Sequence, residues 1–153
     1  MSGASATFER NGRSAHSGHG DVSPGEIAIG VIIGFNDAQA RRIFAGSDFT
    51  LMPSRFEPCG LSQMYAQRFG SLPIGHQTGG LAETIADGET GFLFAQPSAE
   101  SFLGGVRRAF DAYRAKDRLN AMRASAMAKS YSWDLSAACY SALYKRLIMP
   151  RAA

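Results

Sequence analysis

Short apolar runs alternate along the chain with amphipathic stretches, and this alternation predicts strands separated by helices. Four runs bounded by turn-forming residues are typical of strands, and they lie at 27–33, 49–52, 72–75 and 92–94. Helical stretches lie between them at 38–45, where Asn36 is expected to act as the cap, at about 60–70 and at 81–86. Strands that alternate with short helices predict an α/β fold, a Rossmann-like parallel sheet with flanking helices.

Apolar stripes predict which sides of the helices face neighbours. The helix near 60–70 carries Leu61, Met64, Tyr65 and Phe69 on neighbouring turns. A helix that begins at Ser98 is expected to pack on the sheet through Phe102, Leu103, Val106, Phe110 and Tyr113. A shorter helix is predicted at 119–129. Ser132 is then expected to cap a final helix with a stripe of Leu135, Cys139, Ala142, Leu143 and Leu147.

The chain divides into a short polar segment and one domain. Residues 1–25 are rich in Ser, Gly, Ala and His, so we expect a disordered tail, and His16 and His19 within it have no organised metal-binding partners. With 153 residues and 45% hydrophobic content, the chain is large enough for one domain with a core, which we place at 26–150.

Charge, cysteine usage and hydropathy argue against nucleic-acid binding, an oxidising location and membrane association. The formal net charge is only +3 and the arginines are scattered, so nucleic-acid binding is not expected. Cys59 and Cys139 stand alone, which fits a reducing, cytoplasmic location. No apolar run reaches the roughly 20 residues of a membrane helix, and no secretory segment is recognisable, so no membrane association is expected.

Two glycine-rich turns follow strands of the predicted sheet. The first lies within Pro53–Leu61 and the second is Thr78-Gly79-Gly80. Ligands of parallel sheets collect at the carboxyl ends of strands, where glycines allow close approach and backbone N–H groups attract phosphate. Glu57 could accept hydrogen bonds from sugar hydroxyls there. Alternatively, Glu57 is a helix cap or first-turn acid, and the glycines form ordinary turns.

Other catalytic patterns are absent. The sequence holds no HExxH, GxSxG, P-loop or GxGxxG fingerprint. Cys59 at a helix start could act as a nucleophile with His76 as its base, but no spacing links the two residues. This alternative stays open at the level of the sequence.

Five segments together resemble the C-terminal part of bacterial glycogen synthases and plant starch synthases, which are retaining GT-B glycosyltransferases. They are Ile33-Gly-Phe-Asn36, Ile43-Phe-Ala-Gly-Ser-Asp48, Pro53-Ser-Arg-Phe-Glu-Pro-Cys-Gly-Leu61, Gln63-Met-Tyr65 and Thr78-Gly-Gly-Leu81. The similarity runs from about Val31 to Leu147 and includes Tyr131-Ser-Trp133 before the final helix.

The resemblance implies an enzyme in which two Rossmann-like domains close over ADP-glucose and extend the non-reducing end of an α-1,4-glucan. Residues 26–150 would then be part of the C-terminal domain that binds the nucleotide-sugar donor. In this family no metal is needed, and no cofactor is implied beyond the donor substrate. The Glu-Pro-Cys-Gly form favours ADP over UDP, although a UDP-dependent transferase remains an alternative.

The resemblance also assigns roles to residues of this sequence. Glu57, the implied catalytic residue, would hydrogen-bond a hydroxyl of the donor glucose. The N–H groups of Gly60 and Leu61, with Ser62, would hold the diphosphate, and Cys59 would be a motif residue nearby. Phe35 matches the position of an aromatic ring against adenine. Thr78, Gly79 and Gly80 match a turn beside the donor sugar and phosphate.

The sequence departs from the family in its extent. The N-terminal domain, with its acceptor-side Lys-Thr-Gly-Gly-Leu loop, and the basic pair that grips the phosphates have no counterpart here. We therefore expect the chain to be inactive alone, either as a truncated product or fragment or as a half that works with a separate N-terminal half. An exposed apolar flank near the first strand is expected to favour self-association. The competing interpretation is a non-catalytic module that binds glucan or a protein. Tyr65 stands where related retaining families carry a second Glu, as is usual for glycogen synthases.

Overall fold

A computed structural model describes Gly34 and residues 36–148. The predicted tail, the predicted strand at 27–33 and Phe35 lie outside the described residues. The chain separates into two units, Met1–Gln39 and Ala40–Ala153. In the first unit, the Asn36 Oδ1 atom accepts the Gln39 N–H at 3.0 Å, which confirms the predicted cap. The sheet and its covering helices belong to the second unit.

The described strands form a parallel sheet of three strands in the order β1-β2-β3. Strand β1 spans Phe49–Met52, β2 spans Leu72–His76 and β3 spans Phe92–Phe94. These elements confirm the three predicted strands that lie within the described residues. Since all three run in the same direction, their carboxyl ends meet at one edge of the sheet.

The helices follow the predicted order. They are α1 Asp37–Gly46, α2 Ser62–Arg68, α3 Gly79–Thr84, α4 Ala99–Arg114, α5 Lys116–Ala128 and α6 Trp133–Ile148. The predicted Ser132 cap is confirmed, because its hydroxyl accepts the Asp134 N–H at 3.2 Å. Ser98, the predicted helix start, is also a cap, since its hydroxyl accepts the Ser101 N–H at 3.2 Å. Helix α5 begins three residues before the predicted boundary at 119.

The core lies between one face of the sheet and helices α4 and α5. The buried members are Leu72, Ile74, Phe92, Phe94, Ala109, Ala112, Leu119, Met122 and Ala126. Small residues bring α4 close to the strands: a Cβ on Gly105 would lie 3.3 Å from Ile74 Cγ2. The predicted stripe on α4 is therefore only partly right. Phe102 and Val106 pack on the core, whereas Leu103 and Phe110 are about half exposed.

The opposite face of β2 is also covered. Its Gly75 lies against Leu81 and Ile85, since a Cβ there would sit 3.5 and 3.1 Å from their side chains. Both of these residues are buried. Helices and connections thus cover β2 on both sides, as expected for a doubly covered parallel sheet.

Helix α2 packs through the side that the apolar pattern did not predict. Gln63, Ala66 and Gln67 are fully buried, whereas Leu61 and Tyr65 are 59% and 55% exposed. The prediction fails because the two buried amides bond to backbone groups, which offsets the cost of burying them. The predicted apolar stripe on α6 is likewise not buried by other described residues, since no α6 residue is buried.

The two glycine-rich segments touch each other at the carboxyl edge of the sheet. We call Pro53–Leu61, which follows β1, the motif loop, and Thr78–Gly80, which follows β2, the glycine turn. The Gly80 N–H donates to the Glu57 carbonyl at 2.9 Å. A Cβ on Gly79 would overlap the Glu57 carbonyl oxygen, and one on Gly80 would overlap that of Cys59. Only glycines allow these backbones to come so close.

Truncating Phe92, an aromatic residue of the core, should destabilise the domain strongly. Phe92 is fully buried and its ring packs edge-on to Phe49, with centroids 6.3 Å apart. We expect Phe92→Ala to lower the free energy of unfolding by about 3–5 kcal/mol in urea denaturation. Phe110→Ala, on the exposed side of α4, is the matched control and should cost less than about 1 kcal/mol. Equal losses in the two variants would contradict the assigned core.

A methyl group at Gly80 should force the glycine turn away from the motif loop. We expect Gly80→Ala to destabilise the fold by about 1–3 kcal/mol, despite the better helix propensity of alanine. Gly104→Ala is the control, because no atom lies within 4 Å of its Cβ position in α4. That change should stabilise the protein by about 0.5–1 kcal/mol. Urea unfolding of both variants measures the difference, and a neutral Gly80→Ala would refute the contact.

Candidate functional site

The motif loop is the candidate site because it crosses the carboxyl ends of β1 and β2 without regular structure. Its Gly60 has a φ of +69°, a left-handed conformation that glycine adopts readily. Three anchors from later parts of the chain hold this loop. They come from the end of β2, from the glycine turn and from helix α2.

The first anchor is His76 at the end of β2. Its Nδ1 lies 2.9 Å from the Ser54 carbonyl oxygen, and its ring lies 5.5 Å from that of Phe94. Because a carbonyl can only accept a hydrogen bond, Nδ1 carries the proton. The buried imidazole therefore attaches the beginning of the motif loop to the neighbouring strand.

The second anchor is the hydrogen bond from Gly80 to the main chain of Glu57. It fixes the Glu57 backbone while the side chain stays half-buried. Helix α2 has Leu61 as its N-cap, no capping side chain and no acid in its first turn. The interpretation of Glu57 as a helix cap or first-turn acid is therefore wrong. Among the described residues, none donates a hydrogen bond to its carboxylate.

The third anchor is the buried amide of Gln63. Its Nε2 donates to the carbonyls of Cys59 and Gly60 at 2.9 and 2.8 Å, and reaches Thr84 Oγ1 at 3.1 Å. These three acceptors define the orientation of the amide. Its Oε1 consequently points to Gly60 and finds no partner, and a Cβ on Gly60 would overlap it. The φ of Gly60 is one that residues with a side chain rarely adopt, and the Gln63 amide fills the space beside it.

Thr84, the last residue of α3, joins several parts of this region. Its hydroxyl donates to the Gly80 carbonyl, while its own carbonyl lies within hydrogen-bond distance of Gln67 Nε2, Lys129 Nζ and the Tyr131 hydroxyl, at 3.1, 2.7 and 2.9 Å. The residue therefore connects α2, the glycine turn and the segment that leads to α6.

The Tyr131 phenol remains a hydrogen-bond donor around neutral pH. Burial raises its pKa above the ordinary value, and a hydrogen bond with Gln67 offsets part of the rise. The hydroxyl lies 2.6 Å from Gln67 Oε1 and 2.9 Å from the Thr84 oxygen, so its one proton is shared between these acceptors. Sequence reasoning did not find the roles of Gln63, Thr84 and Tyr131, because each of them has at least one partner that is distant in the chain.

The structure brings most of the predicted site residues together on the motif loop and the glycine turn. Ser62 begins α2 and is exposed, as are Cys59 and Leu61. Thr78 precedes α3 without capping it through its side chain. The Cys59 thiol approaches the Gly60 carbonyl, and no hydrogen bond joins it to His76 among the described residues. The nucleophile alternative therefore has no geometric support.

A cleft of about 510 Å³ lies along the exposed apolar side of α2. Its lining includes Leu61, Tyr65, Arg68, Lys129, Tyr131 and Trp133. Both of its basic side chains already donate to backbone carbonyls, Arg68 to Met127 and Lys129 to Thr84. The cleft shares only Leu61 with the predicted site.

The part of the chain that the structure describes holds neither a cluster of metal ligands nor a membrane-spanning helix. No group of three His, Cys, Asp or Glu side chains in this part of the chain is placed to hold a metal ion. None of the helices from 37 to 148 is long and apolar enough to cross a membrane.

Comparisons with known proteins identify relatives of this chain. Glycogen synthase 1 of Bradyrhizobium diazoefficiens is 82% identical over 120 residues, which cover 78% of this chain and 26% of that protein. The glycogen synthase of Pseudomonas savastanoi pv. phaseolicola is 58% identical, with 78% and 25% coverage. The chain thus spans about a quarter of the length of these curated relatives.

Solved structures show the same fold. The catalytic domain of starch synthase IV from Arabidopsis thaliana, bound to ADP and acarbose, superposes with a TM-score of 0.68 at 34% identity, covering 75% of this chain and 25% of that one. Sucrose-phosphate synthase from Thermosynechococcus elongatus gives a TM-score of 0.56 at 26% identity, with 75% and 29% coverage.

These likenesses confirm the predicted fold, a parallel sheet with flanking helices of the kind found in GT-B glycosyltransferase domains. The family model described as "Glycosyl transferases group 1" matches residues 28–126, which include the motif loop and the glycine turn. The chain therefore belongs to the group 1 glycosyl transferases.

Proposed function

We propose that this chain is the donor-binding portion of a glycogen or starch synthase, which transfers glucose from ADP-glucose to the non-reducing end of an α-1,4-glucan. The observation that carries the proposal is the anchored motif loop. Three anchors hold its backbone, while the Glu57 carboxylate has no described partner within the protein. The Glu57 backbone is fixed at the carboxyl edge of the sheet, and its carboxylate has no structural role there. Such a carboxylate suits recognition of a hydroxylated ligand.

The relatives support the same class of ligand. Those that are similar over most of this chain are named glycogen synthases. The starch synthase IV domain was bound to ADP and acarbose, a nucleoside diphosphate and a saccharide. Because the chain spans about a quarter of its relatives, the complete reaction is part of the proposal.

In this proposal Glu57 accepts a hydrogen bond from a hydroxyl of the donor glucose. The N–H groups of Gly60 and Leu61, together with the Ser62 hydroxyl, hold the diphosphate. Donors placed in advance, where negative charge develops on the departing ADP, lower the barrier most, since they need no reorganisation during the reaction. The Gln63 amide fixes the loop at this point, because its Nε2 donates to the Cys59 and Gly60 carbonyls.

The glycine turn lies beside the sugar and phosphate in the same proposal. Thr78, Gly79 and Gly80 present backbone to the ligand, and Cys59 lines the donor pocket as a motif residue, not as a nucleophile. Phe35 provides a ring against adenine, at a position outside the described residues.

The remaining partners complete the proposal. The acceptor is an α-glucan. A separate N-terminal half or a second copy of the chain supplies the opposite side of the donor site. Neither a metal nor a cofactor is proposed, and the reaction takes place in the cytoplasm.

Removing the charge of Glu57 should weaken sugar binding and leave nucleotide binding unchanged. We expect Glu57→Gln to raise the Kd for ADP-glucose about tenfold, as for a lost hydrogen bond to a charged group, with the Kd for ADP unaltered. Isothermal titration calorimetry measures both. Glu89→Gln is the matched control, because Glu89 is exposed in the turn before β3. That turn leads into the amino end of β3, whereas the motif loop lies at the carboxyl ends of β1 and β2.

The same titrations test the wider proposal. Saturable binding of ADP, stronger than that of UDP, is the expected result for the unaltered chain. Absence of binding for every nucleotide up to millimolar concentration would contradict a donor site and favour a non-catalytic module. Stronger binding of UDP would refute the assignment of the nucleotide. Equal affinities of Glu57→Gln and the parent for ADP-glucose would remove the sugar role of Glu57.

A further inference from the structure

We propose that Thr84 is a positioning residue for the donor site, whose hydroxyl holds the motif loop and the glycine turn in one arrangement. The inference rests on the proposed function, because it assigns a residue that acts on the donor site through others. Thr84 itself belongs to neither segment and is half-buried behind them, at the end of α3.

The hydroxyl connects the two segments through a chain of hydrogen bonds. Its single proton goes to the Gly80 carbonyl, so its lone pairs accept from Gln63 Nε2. The same Nε2 donates to the carbonyls of Cys59 and Gly60. One amide and one hydroxyl therefore link the carbonyl of the glycine turn to two carbonyls of the motif loop.

The main chain of Thr84 is held from the opposite side. Its carbonyl is approached by Gln67 of α2 and by Lys129 and Tyr131 of the segment after α5. Linked hydrogen bonds in a partly buried region reinforce each other and restrict the backbone. The side chain of Thr84 is thereby directed at Gln63 and Gly80 and cannot easily turn away.

Loss of the hydroxyl should affect the site more than the fold. Gly80 is buried, so its carbonyl would lose its side-chain donor, and the Gln63 amide would lose one of three acceptors that define its orientation. The Gly60 and Gly80 backbones would then be free to shift. Recognition tolerates displacements of only about 0.5 Å, so a small shift weakens ligand binding.

Three variants of the full chain separate positioning from stability. Thr84→Val keeps the shape and the backbone but removes the hydroxyl, and Thr84→Ser restores it. Thr90→Val is the matched control, because the buried Thr90 hydroxyl accepts the Ala86 N–H at 2.9 Å and has no hydrogen bond to the described residues of either segment. Calorimetric titration with ADP-glucose and urea denaturation are run on each variant.

We expect Thr84→Val to raise the Kd for ADP-glucose about tenfold and Thr84→Ser to stay within about twofold of the parent, as for loss and rescue of one hydrogen-bonded link. Thr90→Val should lower the urea midpoint and leave the Kd unchanged. If Thr84→Val lowers the urea midpoint but binds ADP-glucose like the parent, Thr84 is only structural and the proposal is overturned.

A measurement without ligand keeps this inference separate from the proposed function. Hydrogen exchange of the Gly80 amide, followed by NMR, reports the bond to the Glu57 carbonyl. It should be about tenfold faster in Thr84→Val than in the parent or in Thr84→Ser. If the parent binds no ADP-glucose, the proposed function fails, and an unchanged Gly80 exchange rate in Thr84→Val would in addition refute the positioning role.

Discussion

The contact between the Gly79-Gly80 backbone and the Glu57–Cys59 backbone is the constraint on which the candidate site depends. The motif loop has no regular secondary structure, so its conformation has to come from neighbours. The hydrogen bond from Gly80 to the Glu57 carbonyl, at 2.9 Å, forms only because two residues without side chains allow the approach. The position of the Glu57 carboxylate follows from this backbone contact.

Buried amides extend the same constraint into α2. Gln63 and Gln67 occupy the side of the helix that apolar residues would normally fill, and their hydrogen bonds go to carbonyls of the motif loop and of Thr84. A buried polar network that is largely satisfied restricts the number of conformations more than an apolar contact does, because each bond requires a particular geometry. The apolar side of α2 then lines the open cleft with Tyr65 and Leu61.

The parallel order of the strands explains why the anchored loop lies where it does. In a parallel sheet the carboxyl ends of adjacent strands form one edge, and loops after β1 and β2 have to meet there. The small residues on α4 support this edge of the sheet indirectly. Gly105 allows α4 to pack closely against Ile74, and this packing holds β2. The candidate donor site is therefore supported by two features: the packed core around β2, and the close backbone contact between the motif loop and the glycine turn.

Local pattern was sufficient for the three described strands, the order of the helices and the caps at Asn36 and Ser132, because these depend on residues close together in sequence. The two glycine-rich segments of the candidate site were also visible in the sequence, since glycine and a strand end can be recognised without a structure. The buried side of α2, the anchoring role of His76 and the connections of Thr84 could not be predicted in this way. Each of them involves at least one hydrogen bond between residues more than fifteen positions apart, and such partners meet only after the sheet and its helices have packed.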